Sequence, residues 1–153
     1  MMKKKGITPI MATILLISFA VALGVVIMSF GQAQVEESAQ CPIDINLKLS
    51  TIGGEDQLCY DSISKEVRFT LENGVNIKVE GLVFNIIGSV EAKSYELNDA
   101  KIGKAGNYMG KVSYDATSSG EIKQIKVTPI INLYDEEQVC AEKALVVETI
   151  KAC

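Results

Sequence analysis

Histidine and tryptophan are both absent from this chain of 153 residues. Without His, the usual Ser-His and Cys-His nucleophile pairs cannot be assembled. The commonest transition-metal ligand is missing as well. No C-x-x-C occurs: Cys41, Cys59, Cys140 and Cys153 are separated by 17, 80 and 12 residues. Four-Cys zinc sites usually contain a close pair, so a metal role is not expected. No EF-hand spacing surrounds Asp135, Glu136 and Glu137, which read as a solvated acidic run. Gly103 and Gly106 follow no phosphate-binding pattern. There is no N-x-Ser/Thr sequon, no internal repeat, no low-complexity tract and no basic stripe. An acidic balance of −4 argues against nucleic acid as a partner. These absences together imply a protein that is not an enzyme and carries no cofactor.

Charge is also missing from Ile7 to Phe30, a run of 24 residues. A helix of that length rises about 36 Å, enough to cross a hydrocarbon core of roughly 30 Å. Met1 to Gly6 stand before it with three lysines, Lys3, Lys4 and Lys5. The lysines should stay cytoplasmic, which places everything after Phe30 outside. A secretory signal is cut after its apolar region, at small residues. Here the one punctuating residue, Gly6, precedes the run. Cleavage between Gly6 and Ile7 would leave the apolar helix at the new N-terminus and, with three lysines gone, a side-chain charge of −7.

Lys3-Lys4-Lys5-Gly6 followed by Ile7-Thr8-Pro9-Ile10-Met11-Ala12-Thr13-Ile14-Leu15-Leu16-Ile17 resembles the class III signal of archaeal type IV pilin-like proteins. The likeness covers about the first 30 residues of the chain. Met11 stands at the fifth mature position, where bacterial pilins usually carry Glu, and the Thr-Pro opening separates the chain from archaellins. The resemblance implies removal of the 1–6 leader by a prepilin peptidase. It further implies extraction from the membrane and assembly with copies of itself into a surface filament, with adhesion as the expected role. A missing sequon departs from the N-glycan decoration common on such filaments. The competing reading is a single-pass anchored binding module that never polymerises.

Proline occurs three times. Pro9 suits the first turn of a helix, with Thr8 as its N-cap. The pattern predicts one helix over 7–38, ending in Gln32-Ala33-Gln34-Val35-Glu36-Glu37-Ser38. Ala12, Ser18, Ala20, Ala22, Gly24, Ser29, Gly31 and Ala33 recur along it. Small residues let helices approach closely in an apolar medium, so Pro9, Ala20, Gly24 and Gly31 are the candidate assembly positions. Pro42 ends the helical pattern, and Pro129 is expected to break a long strand.

Beyond Cys41 the period changes from helical to alternating. Ile43, Ile45, Leu47 and Leu49 alternate with Asp44, Asn46 and Lys48, which predicts a strand. Residues 50–56 read as a loop, 57–61 as a short strand, and Glu66–Leu71 as a strand with Val67, Phe69 and Leu71 on one face. Asn73-Gly74 predicts a hairpin turn, followed by Val75, Ile77 and Val79 on a strand. Leu82–Ile87 is a denser strand, with Gly81 as a bend. Val90–Leu97 and Lys111–Tyr114 are weaker strands, and Thr117–Gly120 a loop. Ile122–Leu133 reads as strand, 135–143 as a connection, and Ala144–Ile150 as the last strand. Seven to nine strands at this spacing predict an α+β chain whose head, 41–153, is an immunoglobulin-like sandwich. Tyr60, Tyr95, Tyr108, Tyr114 and Tyr134 read as half-buried strand tyrosines.

An even cysteine count on the exported side reads as two disulfides. Three pairings are open. If the last strand runs antiparallel to the first, Cys41 meets Cys153 and Cys59 meets Cys140. Pairing of sequence neighbours, Cys41 with Cys59 and Cys140 with Cys153, is the alternative.

Overall fold

The computed structural model describes residues 9–38, 41–42 and 44–153. Helix α1 (Pro9–Ser38) takes the apolar run and its polar extension as one element of 30 residues. The leader, the Gly6–Ile7 bond and Thr8 lie outside the described residues. The chain divides into two compact units at residues 39 and 40, the second being a mostly β domain.

In chain order the β domain carries β1 (Lys48–Leu49), β2 (Thr51–Ile52), β3 (Glu55–Asp56), β4 (Leu58–Asp61), β5 (Glu66–Glu72) and β6 (Gly81–Gly88). There follow β7 (Ala92–Leu97), β8 (Asn107–Ser113), the single turn α2 (Ala116–Ser119), β9 (Ile122–Leu133) and β10 (Glu136–Val139). A 3₁₀ turn (Ala141–Lys143) leads to β11 (Leu145–Val147) and β12 (Lys151–Ala152).

Two sheets result. In the first, β5 is central, with β8 along one side and β1 and β4 along the other. β1 and β4 are one strand in two pieces. Lys48 and Leu49 face Glu72 and Leu71, and Leu58 to Asp61 face Phe69 to Glu66. Between them, Ser50 N–H donates to the Thr70 carbonyl and Thr70 N–H donates to Gln57. Residues 51–56, expected to be a loop, are instead a hairpin inserted into that strand. Gly53 and Gly54 turn it at φ of 65° and 85°, a two-residue turn that favours glycine.

In the second sheet, β6 lies between β7 and β9, and β9 is flanked further out by β10 and β11. β9 runs twelve residues through Pro129 without breaking. The Pro129 carbonyl accepts from Cys140 N–H, on the side where β10 gives way to β11. Its missing N–H therefore falls in the gap between two ladder partners, where a central strand tolerates proline. The register shift in this sheet lies at Ile87 and Gly88 rather than at Gly81. Gly81 is tight for another reason: a Cβ there would meet the Leu97 carbonyl at 3.2 Å.

Alternation decides which faces meet. Val67, Phe69 and Leu71 of β5, Leu82, Phe84 and Ile86 of β6, and Ile125 and Val127 of β9 are buried in one cluster. Phe69 stacks on Phe84 with ring centroids 4.5 Å apart, a geometry contributing about 0.5–1.5 kcal/mol beyond area burial. Phe69 also covers Gly110, its cross-strand partner on β8. A Cβ at Gly110 would lie 2.6 Å from Phe69 Cζ and 2.7 Å from Tyr108 Cε1. A smaller cluster joins Ile45, Ile131 and Cys140 with Cys41, Ile77 and Leu133.

Further local expectations fail at loops. Asn73-Gly74 does not turn a hairpin; β5 pairs with β8, and the chain after Gly74 crosses to the second sheet. Val79 forms only an isolated bridge to Ile102. Residues 135–143 are a hairpin arm and a 3₁₀ turn rather than a plain connection, because Tyr134 and Asp135 turn the chain at φ of 54° and 65°.

Gly110→Ala should destabilise the domain by about 1–3 kcal/mol through overpacking against Phe69. Gly103→Ala, where an added Cβ meets nothing within 4 Å, should be near neutral. Urea unfolding midpoints of the two variants check this.

Candidate functional site

Every side chain from Pro9 to Ser29 is exposed, and this 21-residue stretch has a mean hydropathy of 2.8. Phe19 at 69% and Leu16 at 72% exposure are typical. Apolar residues surround the axis on all sides, which is the pattern of a helix that expects an apolar medium throughout. Two of its hydroxyls bond back to the helix. Thr13 Oγ1 donates to the Ile10 carbonyl and Ser18 Oγ to the Ile14 carbonyl, each at 2.9 Å. Such back-bonding removes the penalty a free hydroxyl carries in hydrocarbon. The element is thus long and apolar enough to cross a membrane.

At 100° per residue, Pro9, Ala20, Gly24 and Gly31 fall within about 60° of one helix face. Leu16, Ile17 and Ile27 share that face, so it presents hollows between large side chains. A Cβ at Gly24 would meet nothing within 4 Å. Nothing within the described residues therefore requires glycine at this position, although glycine costs a helix about 1 kcal/mol relative to alanine.

All four cysteines are bonded, in the pairing that neither sequence expectation favoured: Cys41 with Cys140 and Cys59 with Cys153. The correction has a topological cause. β12 pairs with β4 in parallel, Lys151 beside Cys59 and Ala152 beside Tyr60, so it runs with the first strand and not against it. Cys153 is thereby carried to Cys59, with Cα atoms 5.0 Å apart. At the other end the β9–β10 hairpin returns Cys140 to Cys41, 5.7 Å away between Cα atoms. The bridges span 99 and 94 residues, for which the chain-entropy estimate is about 4 to 5 kcal/mol each, usually less in practice. Such bonds fit an oxidising compartment outside the cytoplasm.

Two clefts open on the β domain. One, of about 360 Å³, lies between β3 and β12 over Arg68, Thr70 and Met109. Its cations are already paired, Lys151 with Glu55 and Arg68 with Asp61, both at 3.2 Å. The other, of about 440 Å³, is lined by Tyr60, Ile122, Ile150 and Ala152. No cluster of three or more His, Cys, Asp or Glu among the described residues is placed to hold a metal. Tyr60, Tyr95 and Tyr108 are half-buried and Tyr114 is buried, whereas Tyr134 stands 98% exposed at the β9–β10 turn. No local sequence signal marked that turn, since Tyr-Asp lacks the glycine that such turns favour.

Compared with family models, with curated proteins and with solved structures, the chain finds no match in any of the three.

The strongest electrostatic feature is Asp115, the N-cap of α2. Its carboxyl is drawn from an ordinary 3.8 down to about 2, first by the Lys65 ammonium at 2.7 Å and then by the Thr117 hydroxyl and N–H. A carboxyl with a depressed folded-state pKa stabilises the fold above its unfolded value, and that support disappears as pH falls through the folded value. Asp61, Glu72 and Glu121 shift in the same direction through their own hydrogen bonds. The thermal midpoint should therefore fall between pH 3.8 and about pH 2, and Asp115→Asn should flatten that slope without abolishing it. Circular dichroism melts across the window check this.

Proposed function

We propose that this chain is the precursor of a structural subunit of an archaeal type IV pilus-like surface filament. The observation that carries the reading is helix α1, apolar on every side and long enough to span a bilayer, directly after a basic leader ending in Gly6. On this reading a prepilin peptidase removes residues 1–6, and the helix exchanges lipid contacts for contacts with identical helices. The face bearing Pro9, Ala20, Gly24 and Gly31 supplies the close approach. The disulfide-bonded β domain coats the filament and decides what it touches, with adhesion as its role. We class that domain as an immunoglobulin-like sandwich on the strength of its two antiparallel-rich sheets packed through Phe69 and Phe84.

A single-pass anchored extracytoplasmic module is favoured by one observation, the uniformity of the apolar surface, which serves a helix alone in lipid equally well. The two readings part at the leader. N-terminal sequencing of the protein from native cells should give Ile7. A start at Met1 or Met2 in the membrane fraction would leave the anchored module, and a start beyond Phe30 would overturn both. Gly6→Arg should block processing and filament formation, whereas an anchored module would be indifferent to it.

A further inference from the structure

Asn73 and Gly74 occupy the point where the chain leaves the first sheet. Asn73 is 6% exposed. Its side-chain Nδ2 faces three carbonyls, donating to Ile77 at 2.6 Å, Gly103 at 3.1 Å and Ile102 at 3.4 Å. Gly74 N–H donates to the Asn46 carbonyl at 3.0 Å, and the Gly74 carbonyl accepts from Ala105 at 2.9 Å. Asparagine followed by glycine is the pair most prone to deamidation, because no side chain hinders the following nitrogen. Here the attacking Gly74 nitrogen and the leaving Asn73 Nδ2 are both engaged elsewhere.

We infer that Asn73-Gly74 is a deamidation site that the oxidised fold holds shut and that loss of the Cys41–Cys140 disulfide opens. In the reaction the Gly74 nitrogen gives up its proton and attacks Asn73 Cγ. A ring C–N bond forms, the Cγ–Nδ2 bond breaks, and ammonia leaves carrying that proton. Water then opens the succinimide at either carbonyl, leaving aspartate or isoaspartate. No oxidant or reductant takes part.

The gate is the segment carrying Asn46. Among the described residues it has no ladder partner before Lys48. Ile45, one residue from Asn46, packs with Ile131, Cys140 and Cys41 in the small cluster that encloses the disulfide. Breaking that bond releases the Asn46 carbonyl from Gly74 and loosens Ile77, which packs on the same cluster and whose carbonyl holds Nδ2. The change is one-way, since a carboxylate in place of the amide would face three carbonyl oxygens and lack the donor they need. A chain that stays reduced long enough is thereby marked and excluded from the native loop arrangement.

The test uses the full chain in detergent micelles at mildly alkaline pH, with conversion at Asn73 followed by peptide-mapping mass spectrometry. The reduced, urea-unfolded chain should convert readily. The oxidised wild type should convert about tenfold or more slowly, the factor given by an opening free energy of about 1.4 kcal/mol or more. The Cys41→Ser/Cys140→Ser double variant should approach the unfolded rate while keeping its β circular dichroism. Cys59→Ser/Cys153→Ser, which removes the bridge that is not part of the small cluster, should remain slow. Equal rates in wild type and unfolded chain, or no conversion even when unfolded, would overturn the site. Equal acceleration in both double variants, or none in the first, would overturn the gate.

Discussion

Phe69 stacked on Phe84 is the contact through which the two sheets of the β domain hold each other. Each ring belongs to a central strand, β5 or β6, whose alternate residues are all buried. Fully burying a side chain of this class contributes about 1.5–3 kcal/mol, and the flanking Val67, Leu71, Leu82 and Ile86 add comparable terms. The outer strands are arranged around that contact. Gly110 lacks a side chain where the Phe69 ring lies over β8, and Tyr114 is buried where α2 closes the end of the core. The Tyr114 hydroxyl donates to the Gly120 carbonyl at 2.8 Å, so the ring enters the core without an orphaned polar group.

Helix α1 obeys a different constraint. It has no polar face to turn toward water between Pro9 and Ser29, and so it needs an apolar environment around its whole circumference. Lipid satisfies that requirement, and so do identical helices packed together. The two environments differ in what they ask of surface shape, since lipid conforms to any outline and a neighbouring helix does not. Glycine at position 24, with open space where a side chain would be, matters only in the second.

The two disulfides serve different parts of the β domain, one beside β4 and β12 of the first sheet and one within the small apolar cluster. Cys59–Cys153 fastens the two-residue strand β12, whose few ladder bonds could not hold the C-terminal segment alone. Cys41–Cys140 anchors a segment that precedes any ladder and closes a small apolar cluster of its own. Each bridge therefore holds a segment with few ladder partners of its own, the short β12 in one case and the stretch before Lys48 in the other.

Local pattern in the sequence was enough for α1, with Pro9 at its start and the charge-free run behind it, for β5, whose alternation names its buried face, and for β6 as a dense apolar strand. Ile45, Leu47 and Leu49 were legible as an inward-facing row even though only the last two residues of their segment join a ladder. These features depend on period, which neighbouring residues carry among themselves. Tertiary structure alone decided the rest. The Asn73-Gly74 pair carries a hairpin signal, yet the next strand, β6, joins the other sheet, and Asn73 is used to hold three loop carbonyls. Pro129 survives mid-strand because two separate partners meet beside it. The cysteine pairing followed from β12 running parallel to β4, a choice between strands distant in sequence that no local pattern records.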